Sequence, residues 1–151
     1  RTRTVFPRVG CPKCSASAPE KALFAAVSEA FSNVEHDARL VVKWGAHRTS
    51  RIDILIRLGH AAVVVEYDGQ FWHGTKFDKD TTKTLALLDA GFWVVRVREG
   101  NLPNLETSHP NLLQVRRLIR NPVESALAEI VDWIEQKSGQ GEKKSGQMTL
   151  W

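Results

Sequence analysis

The sequence predicts an α/β domain with a central mixed four-stranded sheet flanked by helices, and three observations carry that expectation. Ser17-Ala18-Pro19-Glu20 is a capping box with proline in the first turn, which starts a helix. Ile52, Ile54, Ile56 and Leu58 alternate with the period of a strand. The stretch 61–68 is apolar on both faces until its end, as a central strand is. The resulting order is helix, three antiparallel strands, helix, strand, then helices.

The elements follow along the chain. Residues 1–16 are basic and turn-rich, and Gly10-Cys11-Pro12-Lys13-Cys14 has the tight loop that a zinc knuckle requires. Such a site needs four ligands. Cys11 and Cys14 are two, and the others would come from His36, His47, His60 or His109, from a partner chain, or from upstream sequence; the plain alternative is a loop with two free thiols. In the helix that begins at Ser17, Leu23, Phe24, Val27, Ala30 and Phe31 form one apolar stripe to about residue 31. Two short strands are expected at 39–44 and 51–58, joined by 45–50. In the second, Asp53 falls on the face opposite the isoleucines, with Leu55 and Arg57. A turn at Gly59-His60 leads into the strand at 61–68, where Glu66 and Asp68 share a face.

A second helix spans 76 or 77 to 90, stopped by Gly91. A fourth strand covers 92–98. A polar loop with Pro103 and Pro110 then precedes a short basic helix ending in Arg116-Arg117-Leu118-Ile119-Arg120, broken by Asn121-Pro122. Residues 123–136 form a last amphipathic helix with Leu127, Ile130, Val131 and Ile134 inward. The tail 138–151 is expected to be disordered, with an apolar end at 148–151 able to dock. The organisation is thus a Cys-x-x-Cys segment (1–16), one domain (17–137) and a tail (138–151), without internal repeats.

With 151 residues, 42% of them hydrophobic, the chain suits one core. Lys and Arg number 21 against 17 Asp and Glu, a net charge of +4 and a pI of about 9.3, which favours a polyanionic partner. The apolar runs are too short to span a bilayer and no signal-like segment follows the basic start, so a soluble cytoplasmic protein without a membrane partner is expected. Two cysteines spaced so closely read as reduced thiols or metal ligands. A chain beginning at Arg1 is expected to be part of a longer parent.

The chemistry concentrates between 51 and 99. Val63-Val64-Val65 leads directly into Glu66-Tyr67-Asp68-Gly69-Gln70-Phe71-Trp72-His73, and charges at the end of a buried strand are costly unless something pairs with them. Asp53 and the Glu66/Asp68 pair lie on adjacent strands, close enough to share a divalent cation such as Mg²⁺ or Mn²⁺. His73 follows where its imidazole faces the same site and relays a proton. Metal-assisted hydrolysis of a phosphodiester needs that combination. Each residue has a duller role: Asp53 paired with Arg51 or Arg57, Glu66 with Arg96 or Arg98, Asp68-Gly69 as a turn, His73 as core. Likewise Asp80 serves a helix dipole, Glu20 only its capping box, and Lys76, Lys79 and Lys83 a solvated face.

Pro19-Glu20, Arg51-Ile52-Asp53, Glu66-Tyr67-Asp68-Gly69-Gln70-Phe71-Trp72-His73-Gly74, Lys79-Asp80 and Gly91-Phe92-Trp93-Val94-Val95-Arg96-Val97-Arg98-Glu99 together resemble the very-short-patch-repair (Vsr-like) endonucleases of the PD-(D/E)XK superfamily. The likeness covers about 17–99, and Gly-x-Phe-Trp-His is its most specific part. It implies a restriction-endonuclease-like core in which Asp53 and the backbone carbonyl of Tyr67 hold the metal. His73 would then act at the scissile phosphate as base or acid, Asp80 would orient it or hold water, and Glu20 would contact water near the metal. Glu20, Asp53, His73 and Asp80 also match the Glu-Asp-x-His-Asp pattern of a homing-endonuclease branch, and Phe71 and Trp72 would wedge into the DNA stack. The zinc ligands that repair members carry after Phe-Trp-His are replaced by Gly74-Thr75-Lys76-Phe77, and Asp68 stands where they have histidine. The Cys11/Cys14 piece resembles half of the treble-clef zinc ribbons that precede such nucleases in longer bacterial and phage proteins.

The expectation is therefore a metal-dependent DNA endonuclease of a repair, restriction, homing or phage-defence setting. Arg48, Arg51, Lys76, Arg116, Arg117 and Arg120 would contact phosphates. A homodimer or a larger parent protein would be a further partner. The alternatives are an inactive or partner-dependent DNA-binding module on the same fold, and a purely structural domain.

Overall fold

A computed structural model of the chain describes residues 17–70 and 77–149, with side chains through residue 139. Helix α1 (Ala18–Ala30) begins as its capping box requires: the Ser17 hydroxyl accepts the Glu20 N–H at 3.3 Å. It is followed by β1 (Val34–Leu40), β2 (Ser50–Arg57) and β3 (Ala62–Asp68), then α2 (Phe77–Asp89), β4 (Trp93–Glu99) and β5 (Leu112–Arg117). A short 3₁₀ turn (Val123–Ala126) leads into α3 (Leu127–Thr149). The cysteine segment 1–16 lies outside the described residues.

The five strands form one mixed sheet in chain order, β1 to β5. β1, β2 and β3 pair antiparallel, whereas β3, β4 and β5 run parallel. Both parallel crossovers bring the chain back to the same end, so the C-terminal ends of β3, β4 and β5 and the start of β2 share one edge of the sheet. The α/β class and the mixed, helix-flanked sheet are as expected; the strand count is not. β5 occupies the stretch expected to be a basic helix, because Leu112, Leu113 and Val115 extend the open edge of β4, with Val94 opposite Leu112 and Val97 opposite Val115. β1 also lies earlier than expected: Val34 to Leu40 pair with β2, while Val41, counted as strand from sequence, is 89% exposed. At the other end, α3 continues to Thr149 through residues expected to be disordered.

Two apolar clusters cover the two faces. Leu23 and Val27 of α1, with Val123, Ala126, Ile130 and Ile134, pack on Ile54, Ile56, Val63, Val65, Tyr67, Val95 and Val97. On the other side Leu87 and Leu88 of α2 pack on Ala38, Ile52, Leu55, Val64 and Val94. Fully burying each such aliphatic contributes about 1.5–3 kcal/mol. Ile52 and Ile54 were expected on one face, yet they belong to opposite clusters; on β1, likewise, Ala38 joins the α2-side cluster while His36 contacts Glu20 and Phe24 of α1. The alternation slips at the step between them. There the register passes from His36↔Ile54 to Ala38↔Ile52 without a 37–53 pair, and Asp37 adopts φ +59°. Asp53 sits at this slip, and its geometry makes the candidate site.

Candidate active site

β2 and β3 stop pairing backbone to backbone after Ile54↔Val65. Beyond that point side chains replace the ladder. The Asp53 N–H donates to Glu66 Oε2 at 2.8 Å, and the Tyr67 N–H donates to Asp53 Oδ2 at 2.9 Å. Two carboxylates from neighbouring strands are thereby clamped across an opening in the sheet, and Asp53 Oδ1 takes no hydrogen bond from the described residues. Lys83 of α2 reaches in from above: its ammonium donates to Glu66 Oε1 at 2.6 Å and to the Arg51 carbonyl at 2.5 Å. Glu20, at the start of α1, holds His36 Nε2 at 2.9 Å, and that imidazole stacks on Phe24 with centroids 4.7 Å apart.

The electrostatics follow from this crowding. Burial pushes the Asp53 carboxyl well above the usual aspartate range, and the charges of Glu66 and Glu20 push it further; the Tyr67 N–H and Lys83 pull the other way without offsetting them. A carboxylate in this position ionises readily only with more positive charge nearby. Hard oxygen donors that repel one another suit a hard divalent cation; the Asp53 carboxylate and backbone carbonyls at the strand end suit the expected Mg²⁺ or Mn²⁺, while both Glu66 oxygens already accept hydrogen bonds. Among the described residues no group of three or more His, Cys, Asp and Glu side chains is arranged to hold a metal ion.

Asp68 and Asp80 do not join them. Both Asp68 oxygens are taken by arginines of β4: Arg96 Nε and Nη2 at 2.8 and 2.7 Å, and Arg98 Nη1 at 2.8 Å. Asp80 contacts the same two guanidiniums at 3.2 and 3.3 Å. Arg96 also donates to Thr84 Oγ1 and Arg98 to the Pro103 carbonyl. Burial alone would lower the Arg96 pKa, but the charge and hydrogen bonds of Asp68 outweigh it, and the guanidinium is held above its usual value. Of the three acids expected to share a cation, the structure brings Asp53 and Glu66 together and turns Asp68 toward the arginines. Asp68 has no open coordination position because two arginines parallel in register reach its carboxylate first. Asp80 is likewise turned into this buried network, since α2 lays it against β4.

The arginine pairings differ from the plain alternatives as well. Arg51 pairs with Asp37 at 2.5 and 3.0 Å and Arg57 with Glu35 at 2.7 Å, so neither is bonded to Asp53, although the Arg51 charge is also felt by Asp53 and Glu20. Arg117, expected to reach a phosphate, is drawn inward: Nη1 lies 3.2 Å from Glu99 and 3.1 Å from the Tyr67 hydroxyl, while Nη2 donates to the Asn121 carbonyl. The Tyr67 hydroxyl also donates to Glu99 at 2.5 Å, and burial, then Glu99, raise its pKa. Glu99 Oε1 accepts the Gln70 N–H at 2.9 Å, and the Gln70 side chain accepts from Asn101 N, which ties the end of β3 to the turn after β4. Gly100 suits this turn because its φ of +60° strains other residues, and a Cβ there would also push aside the Gln70 amide. Arg48, Arg116 and Arg120 are exposed on this edge. His73, Phe71, Trp72 and Lys76, like Cys11 and Cys14, lie outside the described residues.

Lys83 is the residue that sequence reasoning passed over as part of a solvated face. Its signal was present: Asp80, Lys83, Thr84 and Leu87 follow helical spacing, so a lysine among inward-facing positions is aimed at the sheet. His36 was weighed only as a zinc ligand, and its contact with Glu20 depends on α1 packing over β1. Comparison with known proteins adds no name to this geometry: no family model matches the chain, and no curated protein matches it.

Proposed function

We propose that the protein is a metal-dependent DNA endonuclease of the Vsr-like, restriction-endonuclease-like type, hydrolysing a phosphodiester by water attack at phosphorus. The observation that carries this reading is the charge layout of the site edge. An acidic centre of Glu20, Asp53 and Glu66 is flanked in the chain by two stretches without a single acid, 38–52 and 107–123. The first contributes Arg39, Lys43, Arg48 and Arg51, and the second Arg116 and Arg120, with Arg117 turned inward onto Glu99. A polyanion needs cations along its flanks and hard-metal donors at the bond to be broken, and this edge has both.

Asp53 and the Tyr67 carbonyl, with Glu66 behind them, are the residues that would hold Mg²⁺ or Mn²⁺. Such an ion lowers the pKa of its water and neutralises charge developing at the phosphoryl oxygens. Glu66 positions Asp53 through the Asp53 N–H, and Lys83, paired with Glu66, would offer its ammonium to the developing negative charge. By the resemblance, His73 supplies the proton relay, and Glu20 orients water with its carboxylate held in place by His36.

One observation favours the second reading, a DNA-binding module without activity: both Glu66 oxygens are already engaged, by Asp53 N and by Lys83. Incubation of the purified chain with supercoiled plasmid and Mg²⁺ or Mn²⁺ separates the two. Nicking that falls at least a hundredfold in Asp53→Ala and in Glu66→Gln (several kcal/mol of barrier, at roughly 1.4 kcal/mol per decade) supports the endonuclease. Intact plasmid with DNA retarded on a gel favours the module, and neither nicking nor retardation at low salt discards both.

A further inference from the structure

The described residues expose four large aliphatic side chains: Val41, Leu85, Leu118 and Ile119. Isolated exposed aliphatics are ordinary. Three of these four, however, fall in the two acid-free stretches at the site edge, and two are neighbours in the turn that follows β5. Ile119 is 60% exposed and Leu118 41%, with Arg116 before them and Arg120 after.

This turn is rigidly built. The Asn121 N–H closes it onto the Leu118 carbonyl at 3.0 Å, and Arg117 Nη2 pins the Asn121 carbonyl at 2.9 Å. Arg117 is itself locked by Glu99 and Tyr67, and the Gly100 N–H holds the Arg117 carbonyl at 2.8 Å. The Ile119 side chain comes over Gly100, beside Gln70 at the end of β3. Both aliphatics thus stay largely exposed on a turn whose hydrogen bonds do not involve their side chains, with only the tip of Ile119 resting over Gly100. The guanidiniums beside them keep their charge uncompensated: Arg116 bonds only to neutral acceptors, the Gly100 carbonyl and Asn104 Oδ1, and Arg120 is exposed.

We propose that this turn is a DNA wedge: Ile119, supported by Leu118, enters the minor groove at a base step while Arg116 and Arg120 hold the phosphates on either side. The inference rests on the endonuclease or DNA-binding reading and specifies how the duplex is held. An apolar side chain inserted between base pairs is a known way to trade unstacking for a bent duplex with wider contact, and it requires a stiff, protruding aliphatic flanked by cations. The opposite arm, the 41–49 loop between β1 and β2 with Lys43 and Arg48, stands about 19 Å away across four strand spacings of ~4.8 Å. A duplex laid along the edge meets both arms within little more than half a helical turn of ~34 Å. The acidic centre lies between them.

The test uses the full chain with duplexes carrying 2-aminopurine at successive positions, in Ca²⁺ buffer. Wild-type protein should raise the emission at one step, which reports unstacking there. Ile119→Ala should abolish the rise at that step and weaken binding by roughly tenfold, the order expected for losing one inserted side chain. Arg120→Gln should weaken binding and flatten the salt dependence by about one phosphate contact, with the emission intact at saturation. Ile119 is exposed, so its thermal melt should match the wild type. Wild-type binding without any emission change, or an undiminished rise in Ile119→Ala, overturns the wedge and leaves the DNA reading standing. Loss of a dimer in Ile119→Ala on sedimentation, with DNA signals unchanged, assigns the turn to a second copy instead and also overturns it. Failure of the wild type to retain any duplex at low salt removes the DNA reading and the wedge together.

Discussion

Two groups of acids lie at one edge of the sheet, and the protein treats them oppositely. Asp68 and Asp80 face Arg96 and Arg98, two charges against two, and Asp68 and Arg98 are wholly inaccessible. A few ångströms of chain away, Asp53, Glu66 and Glu20 crowd together with Lys83 as the close ammonium and His36 on Glu20. The first group is balanced and belongs to the fold. The second has more acids than close cations, and burial first, then the charges of Glu66 and Glu20, raises the Asp53 pKa. A buried surplus of one sign is destabilising by itself, so what the contrast teaches is that this corner of the sheet is less well compensated than the arginine network beside it.

That contrast can be broken most forcefully at Arg96. Arg96→Met leaves a fully buried carboxylate with half its compensation, and the expected loss is about 3–5 kcal/mol, read from urea unfolding; a variant within about 1 kcal/mol of wild type would mean the balanced group is not structural. Divalent ions come next. Mn²⁺ at a hundred times its dissociation constant should stabilise the wild type by about 2.7 kcal/mol, seen as a higher Tm, and Asp53→Asn should lose most of that shift.

Without metal the sign reverses. Asp53→Asn should stabilise the protein by about 1 kcal/mol, since the amide still accepts the Tyr67 N–H but carries no charge. Because the folded pKa of Asp53 lies above the ordinary 3.8, the penalty it imposes is absent below that value and complete only above the folded pKa. The gain should therefore grow as pH rises through that window in paired thermal melts, and a variant less stable than wild type at pH 8 would sink the idea of a charge surplus. The smallest effect is at Asp37, whose carboxyl is lowered by its hydrogen bond from Arg51. The pair is half exposed, so Asp37→Asn should cost under about 1 kcal/mol. Asparagine tolerates the positive φ there. The difference should be present at pH 7 and vanish as pH falls through the lowered folded pKa of Asp37.

Much of the fold was legible in the chain because it depends on local chemistry. The Ser17 box starts α1, Gly91 follows α2, and the Val63–Val65 run reads as a central strand for reasons contained within a few residues. β5 was not legible, because Arg116, Arg117 and Arg120 resemble one side of a basic helix until the open edge of β4 is present to be paired. Of the candidate site, the proximity of Asp53 and Glu66 followed from adjacent strands. The slip at 37–53 did not, since alternation assumes an unbroken strand.

By itself the sequence determined which residues carry charge, which faces are apolar over short runs, and where helices begin and end, since propensity, periodicity and capping act over four or five residues. Only the tertiary structure decided who neutralises whom. Asp68 took the arginines and Glu66 the lysine because the parallel register of β3 and β4 and the docking of α2 set those distances, and a carboxylate is bound by whichever cation the packed backbone brings within about 3 Å of it.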